Sequence, residues 1–165
     1  MKTLLVLRHA KSSWKDSGVA DFERPLNARG RRASDLIGRF IRKKKLNPDL
    51  VLSSNATRAR ETIGLVLESA RLIVELRYDE RLYLASADRL AEIISQIEDD
   101  RSQVMLVGHN PGMEELLPRL TGVVGRMPTG ALAKIVLQVD RWTEVSDTRS
   151  GGLEWLVKPK DLGAH

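Results

Sequence analysis

Two of the three histidines in this sequence follow short apolar runs in the same way. Residues 4–7 lead directly into Arg8-His9, and residues 104–107 lead through a single glycine to His109. Unbroken apolar runs of this length are typical of buried parallel strands, and open α/β sheets bind their ligands at the carboxyl ends of such strands. The pattern therefore predicts two imidazoles that face one pocket, with the Arg8 guanidinium beside them.

Arg58 extends this predicted group. The run Leu50-Val51-Leu52 predicts another buried strand, and Arg58 follows four residues after Ser54, in the first turn of the next helix. Two guanidiniums and two imidazoles around one point form an electropositive, fork-shaped site suited to a phosphoryl group. Such a site needs no metal, and a histidine can act as its nucleophile. The alternative is a satisfied core histidine with arginines in surface ion pairs.

Helical spacing of apolar residues predicts four helices, and short apolar runs predict six strands. The predicted helices run from the Asn27 cap to Ile41, from Ala59 to Ala70, from near Ser86 to Ile97, and from Pro111, at the first helical position, to Leu120. The predicted strands are 4–7, 50–52, 72–76, 103–107, 131–139 and 153–157, with a polar loop over 143–152. Because strands alternate with helices, we predict an α/β fold, a three-layer α/β/α sandwich with a mostly parallel central sheet, in a single domain over residues 1–165.

Composition excludes several classes of protein. With 165 residues, 42% hydrophobic and 30% charged, the chain has the composition of a globular domain. It has no cysteine, which excludes disulfides and thiolate sites, and its histidines lack metal-ligand spacing, so we predict no metal and no cofactor. The first apolar run is too short for a signal peptide and no segment is long enough to span a membrane, so we expect a cytoplasmic protein without membrane partners.

The net charge of +5 is unevenly distributed. Residues 1–60 carry fifteen Lys and Arg against five Asp and Glu, whereas residues 61–100 carry four against ten. A basic region of this kind can attract nucleic acid or a small anion. Because aromatic residues for base stacking are scarce, we interpret the cluster from Arg39 to Lys45 as a solvated helix face and predict no nucleic-acid partner.

Four motifs, in order, resemble the histidine phosphatase superfamily, whose members have the phosphoglycerate-mutase-like fold. They are Leu7-Arg8-His9-Ala10, Arg24-Pro25-Leu26-Asn27-Ala28-Arg29-Gly30, the segment 54–62 with its Arg-Ala-x-x-Thr core, and Gly108-His109-Asn110-Pro111-Gly112. The run from His9 to Trp14 and the short chain are most similar to the small phosphohistidine phosphatases of the SixA type. The resemblance covers nearly the whole chain and implies the same fold and a hydrolase activity.

The resemblance also implies a role for each residue of the predicted pocket. His9 is the nucleophile that becomes phosphorylated, and Arg8 and Arg58 bind the phosphoryl oxygens. His109 completes the pocket and stabilises charge in the transition state, assisted by the backbone N–H of Asn110.

Two further residues are assigned by the resemblance with alternatives left open. Glu80 aligns with the glutamate that protonates the leaving group in mutases and many phosphatases; the alternative is a solvated loop carboxylate. Lys15 stands where phosphoglycerate mutases have an asparagine that contacts phosphate; the alternative is that it points to solvent. Ala10 replaces the usual glycine and leaves less room beside the nucleophile.

The chain lacks the long insertions that cover the pocket in larger members of the superfamily. An open site suits a bulky substrate, so we predict a metal-independent phosphatase in signalling that acts on protein phosphohistidine through phosphorylated His9. One alternative is a phosphatase for small phosphate esters. An alternative of another class is a non-catalytic module that binds phosphate or nucleic acid. The sequence does not indicate the oligomeric state.

Overall fold

A computed structural model of the chain describes residues 1–146, 149 and 151–163. Its six strands are Lys2–Arg8 (β1), Leu50–Ser53 (β2), Leu76–Tyr78 (β3), Gln103–Gly108 (β4), Leu132–Leu137 (β5) and Gly151–Val157 (β6). Its four α-helices are Ala28–Lys43 (α1), Thr57–Ala70 (α2), Ala87–Ser95 (α3) and Gly112–Thr121 (α4). Short 3₁₀ helices occupy Asp21–Glu23, Glu80–Leu82, Trp142–Ser146 and Pro159–Leu162.

The strands form one mixed sheet in the order β3-β2-β4-β1-β5-β6. The first four of these strands are parallel to one another, whereas β5 pairs antiparallel with β1 and β6 pairs antiparallel with β5. The predicted mostly parallel sheet is therefore confirmed. Because β1, β2 and β4 are parallel neighbours, the residues that follow Arg8, Ser53 and Gly108 emerge at the same edge of the sheet.

Two hydrophobic cores separate the sheet from the helices on its two faces. Along β1, Leu5 and Leu7 pack toward α1 and α2, while Leu4 and Val6 pack toward α3 and α4. All four are fully buried, which explains why β1 is apolar without alternation. The three-layer α/β/α arrangement predicted from the sequence is confirmed.

Side-chain caps start two of the helices where the sequence predicted them. The Asn27 side chain accepts a hydrogen bond from Gly30 N at 2.8 Å, and the Ser86 side chain accepts one from Arg89 N at 3.1 Å. Pro111 was predicted at the first helical position, but it is the residue before it, and α4 begins at Gly112.

The third strand lies later in the chain than predicted. Residues 72–75 lack strand pairing, and β3 begins at Leu76, which is in register with Val51 of β2. The chain leaves α2 through Arg71 in the left-handed conformation (φ 56°) and must cross from the helix layer to the sheet before it can pair. Residues 72–74 are all apolar in the sequence and so match a strand pattern, although Ile73 is fully exposed in the structure.

The predicted polar loop 143–152 is shorter in the structure. The 3₁₀ helix Trp142–Ser146 covers its first part and β6 begins at Gly151, while residues 147, 148 and 150 lie outside the described residues. In the described part of the chain, no helix is both long enough and apolar enough to cross a membrane.

Candidate active site

The edge of the sheet brings together the side chains that the sequence predicted as one group. Arg8, His9, Arg58, His109 and Asn110 all line one cavity of about 260 Å³. Pairing of β1 with β4 places Arg8 opposite Gly108, and His9 N donates to the Gly108 carbonyl at 3.1 Å. The imidazole rings of His9 and His109 consequently lie 5.0 Å apart, centroid to centroid.

The tautomer of His9 follows from its hydrogen bonds. Its Nδ1 lies 2.7 Å from the Ala10 carbonyl oxygen, which can only accept, so Nδ1 carries the proton and Nε2 presents its lone pair. The pKa of His9 is lowered to about 4, chiefly by burial and also by the positive charges of Arg58 and Arg8, against the Ala10 hydrogen bond, which raises it. His9 is therefore a neutral imidazole with a free nitrogen at neutral pH.

Arg58 is held in place on three edges of its guanidinium. Its Nε–H faces His9 Nε2 at 3.4 Å, Nη1 donates to the Asp21 carbonyl at 2.7 Å, and Nη2 contacts the Asp21 carboxylate at 3.1 Å. The Thr62 hydroxyl donates to the Arg58 carbonyl at 2.6 Å and accepts from Ala10 N at 3.0 Å. Thr62 thus joins the first turns of α2 to the residue after His9.

Arg8 and His109 each have a buried nitrogen without a hydrogen-bond partner among the described residues, Nε of Arg8 and Nδ1 of His109. The Ser54 hydroxyl accepts from Ala56 N at 3.2 Å and contacts His109 Nε2 at 2.8 Å, so its proton is free to bind Nε2. With the Ser54 hydroxyl as the donor to Nε2, the ring proton of His109 lies on Nδ1. Because buried polar groups are normally paired, these two donors are suited to an anionic ligand.

Burial is the main cause that shifts the pKa values of both Arg8 and His109. Burial lowers the pKa of His109 to about 3, with smaller contributions from His9 and Arg58. Burial also lowers the pKa of Arg8, which the neighbouring Glu114 partly offsets. The cavity therefore combines fixed cationic charge from arginine with neutral imidazoles, a combination that favours binding of a phosphoryl group.

A carboxylate that the sequence reasoning missed organises the arginines. Asp21 forms ion pairs with Arg24 and Arg58, each at 3.1 Å, and accepts a hydrogen bond from the Tyr83 hydroxyl. The Tyr83 bond is the largest cause that lowers the pKa of Asp21, to about 2. Arg24 in turn donates to Ser12 Oγ at 2.6 Å. Asp21 opens the 3₁₀ helix Asp21–Glu23, which is too short to leave a periodic pattern in the sequence, and only its distance of three residues from Arg24 hinted at it.

The mouth of the cavity carries exposed apolar side chains. The Trp14 ring lies over the Arg24 guanidinium, 3.5 Å from ring centroid to Cζ, yet Trp14 is 75% exposed. Leu84, in the left-handed conformation (φ 52°), also lines the cavity and is exposed. The cavity is therefore open to solvent at a partly apolar rim.

The structure does not bring two of the predicted residues to the cavity. Glu80 is exposed in the 3₁₀ helix Glu80–Leu82, and Lys15 is exposed in the loop between β1 and the 3₁₀ helix Asp21–Glu23. Neither residue lines the cavity, although Lys11 does. Asn110 lines it, but its side-chain amide donates to the Met127 carbonyl at 2.9 Å. Where the chain is described, no group of three or more His, Asp or Glu side chains is arranged to hold a metal ion.

Comparison with known sequences matches the part of the chain that holds Arg8, His9 and Arg58. The family model of the histidine phosphatase superfamily (branch 1) matches residues 4–83. An uncharacterized protein of Mycobacterium tuberculosis (strain ATCC 25618 / H37Rv) is 36% identical over 151 residues, which cover 84% of this chain and 91% of that protein. An uncharacterized chloroplastic protein of Arabidopsis thaliana is 31% identical over 170 residues, which cover 96% and 78%.

Solved structures share the architecture over the whole length. The crystal structure of a proposed phosphohistidine phosphatase SixA from Agrobacterium tumefaciens is 30% identical, covers 96% of this chain and 98% of its own, and superposes with a TM-score of 0.80. A protein histidine phosphatase SixA complexed with tungstate is 21% identical and has the same fold, with a TM-score of 0.82 and coverage of 97% and 99%.

Proposed function

The chain belongs to the histidine phosphatase superfamily, and we propose that it hydrolyses phosphohistidine in proteins, without a metal, through a phosphorylated His9. The family supports phosphatase activity. The observation that carries the mechanism is the neutral His9, whose Nε2 lone pair faces the Arg58 guanidinium in a cationic cavity. A nucleophile and its anion-binding groups are thus assembled at one point.

The reaction divides into two displacements at phosphorus. The Nε2 lone pair of His9 forms a bond to phosphorus as the bond to the leaving group breaks, while Arg8 and Arg58 neutralise the equatorial oxygens. The departing imidazole of the substrate takes a proton from solvent. Water then attacks phosphohistidine 9, the P–N bond breaks, one proton of the water passes to solvent, inorganic phosphate leaves and the His9 lone pair is restored. The hydrogen bond from Nδ1 to Ala10 keeps the ring proton away from the reacting nitrogen throughout.

The lining of the cavity favours a nitrogen leaving group. No Asp or Glu lines the cavity in the described part of the chain, and Glu80 lies outside it. An alkoxide leaving group depends on a general acid, whereas an imidazole leaving group needs less help. The open mouth accommodates a protein side chain, and the similar Agrobacterium structure is itself named for phosphohistidine.

Trapping the phosphoenzyme tests the mechanism. Wild type, His9→Ala and His165→Ala, which removes a histidine outside the four motifs, are mixed with phosphoramidate in the presence of a chelator and quenched in alkali. We expect one phosphoryl group on His9 in wild type and in His165→Ala and none in His9→Ala, by intact mass and peptide mapping. Absence of both adduct and turnover with every donor would instead identify a phosphate-binding module.

The substrate class is tested by the ratio of kcat/KM values, because discrimination between substrates lies in that ratio. We expect a phosphohistidine peptide to be hydrolysed with a higher kcat/KM than a matched phosphoserine peptide or a small phosphate ester. A higher value for the small ester would overturn the assignment of the substrate and leave the phosphoenzyme mechanism intact.

A further inference from the structure

A second, smaller cavity of about 180 Å³ adjoins the catalytic cavity. Four cationic side chains line it, and Lys11 and Thr129 line both cavities. We propose that this cavity is an anion subsite that binds an acidic side chain next to the phosphohistidine of the substrate. The inference rests on the proposed function and adds a preference for substrate sequence. We call it the basic subsite, formed by Lys11, Arg29, Lys158 and Lys160.

Close packing of α1 against the nucleophile loop positions the first half of the basic subsite. Asn27 N donates to the Lys11 carbonyl at 3.0 Å, and a Cβ at Gly30 would lie only 2.1 Å from that carbonyl oxygen. Only a glycine permits this approach. The first turn of α1, with Arg29, is thereby fixed beside Lys11, two residues after His9.

A second glycine, Gly130, positions Lys158 and Lys160, the other half of the basic subsite. Gly130 has a left-handed backbone (φ 80°), and its N–H donates to the carbonyls of Arg8 and His9 at 3.2 and 2.9 Å. A Cβ at Gly130 would lie 2.9 Å from Cγ of Pro159. Lys158 and Lys160, on either side of this proline, are therefore held against the loop that is bonded to the end of β1.

The charge of the basic subsite is not neutralised by the protein. Within the described residues, none of its four cations forms an ion pair with a carboxylate, and no Asp or Glu lines the cavity. The carboxylate of the nearby Asp161 accepts a hydrogen bond from the Lys158 backbone N–H at 2.9 Å. Four uncompensated cations beside the catalytic cavity favour a ligand that carries a second negative charge.

The larger basic cavity elsewhere on the molecule does not have this property. It has a volume of about 830 Å³ and lies between the C-terminal halves of α1 and α2, where Asp35 and Glu68 contribute negative charge to its lining. Along α1, Arg42 is ~20 Å from Arg29 at 1.5 Å per residue. At physiological salt, where exposed charges are screened over ~8 Å, that cavity does not act on a ligand at His9.

An acidic peptide fits the placement of the basic subsite. With the phosphohistidine in the catalytic cavity, a second negative group of the same substrate must reach the neighbouring cavity. An extended peptide advances by ~3.3 Å per residue with side chains projecting on both sides, so it can place such a group there. Arg29 and Lys160 are exposed, as contacts to a flexible substrate segment require.

The test compares two phosphohistidine peptides that differ only in two flanking residues, glutamates in one and glutamines in the other. For wild type at low ionic strength we expect a kcat/KM ratio of about ten in favour of the glutamate peptide, because exposed ion pairs contribute about fivefold or less each. In the double variant Arg29→Gln/Lys160→Gln the ratio should approach one. Turnover of phosphoramidate, which carries no second anion, normalises each variant, and thermal unfolding confirms that each is folded.

The matched control is Arg42→Gln/Lys43→Gln, which removes the same two charges from the far end of α1 and should retain the wild-type ratio. Equal ratios in the two double variants, or a wild-type ratio of one, would overturn the basic subsite while the phosphatase function stands. A preference for a small bisphosphate over its monophosphate, without any peptide preference, would also overturn it in favour of a small ester. If no donor phosphorylates His9, the proposed function fails, and fluorescence anisotropy of the labelled peptides on the same variants still tests the subsite.

Discussion

At the scale of single residues, His9, the proposed nucleophile, is kept neutral in a cavity lined by cationic side chains. Burial and the positive charges of Arg8 and Arg58 lower the pKa of His9, while the Ala10 carbonyl fixes its proton on Nδ1. In the proposed mechanism the arginines therefore serve two functions, since the charge that would bind a phosphoryl group also keeps the attacking lone pair of His9 unprotonated. This coupling makes the orientation of Arg58 the most sensitive feature of the site.

Asp21→Asn tests that orientation. The carboxylate pairs with Arg58 and Arg24, and hydrogen bonds to charged groups contribute about 1.5–3 kcal/mol. We expect kcat to fall roughly 10- to 100-fold with little rise in KM, because removal of a carboxylate makes the cavity more positive while Arg58 loses its anchor. Steady-state kinetics with a phosphohistidine peptide measure both parameters.

Asp35→Asn, which breaks the exposed ion pair with Arg39, is the control and should leave both kcat and KM unchanged. A rise in KM with kcat unchanged would contradict the positioning role of Asp21.

The residues of the site were predictable from sequence only where they follow regular elements. Arg8, His9 and His109 end apolar strands, and Arg58 opens a helix, so periodicity fixes where they emerge. Asp21 lies in a three-residue 3₁₀ helix that is too short to give such a signal, and its partners became visible only in three dimensions. Glu80 has the expected order in the sequence, but a 3₁₀ turn leaves it exposed and away from the cavity.

At the scale of elements, the site depends on how closely helices approach the loops at the sheet edge. The strand ends are set by hydrophobic burial, which a sequence pattern reveals. The approach of α1 to Lys11 is set by the absence of one Cβ, and no periodicity reports it. The start of β3 was misplaced for a related reason, because the apolar run over 72–74 does not show where the chain reaches its partner strand.

Gly30→Ala measures this constraint on α1. In a helix interior the replacement of glycine by alanine normally stabilises by ~1 kcal/mol, but here the new Cβ would clash with the Lys11 carbonyl. We expect a net destabilisation of ~1–3 kcal/mol, typical of overpacking, in urea unfolding. Gly64→Ala, in α2 with nothing within 4 Å of its Cβ position, should instead stabilise by ~1 kcal/mol. Stabilisation by both substitutions would show that α1 moves away from the loop at no cost.

At the scale of the whole molecule, the excess of basic residues in the first part of the sequence corresponds to two separate groups of cations. The basic residues 1–60 supply Arg8, Arg58, Lys11 and Arg29 to the two adjoining cavities. The remaining cations of this segment include Arg39, Arg42 and Lys43 near the C-terminal end of α1, which line the larger cavity instead. The sequence thus predicted an anion-binding character, but only the fold separates cations near the nucleophile from cations that are solvated.

The buried histidines also make the stability of the whole chain depend on pH. In the folded protein the pKa values of His9 and His109 are about 4 and about 3, against an ordinary value of 6.5, so between pH 6.5 and 4 the unfolded chain binds protons that the folded chain does not. The free energy of unfolding must therefore fall as the pH decreases through this window, by about 2 kcal/mol or less per histidine between pH 7 and pH 5. The contribution of the Asp21 carboxylate is lost only at lower pH, below its ordinary value of 3.8.

Urea unfolding at pH 7, 6 and 5 measures this dependence, with His9→Gln/His109→Gln as the comparison. Glutamine does not titrate, so the double variant should lose much less stability than wild type over the same interval, whatever its stability at pH 7. Equal losses in the two proteins would show that other groups cause the pH dependence and that the cavity admits enough water to protonate its histidines. The phosphoenzyme would then form only above the ordinary pKa of histidine, whereas we expect a neutral, buried His9 to be phosphorylated by phosphoramidate down to pH 5.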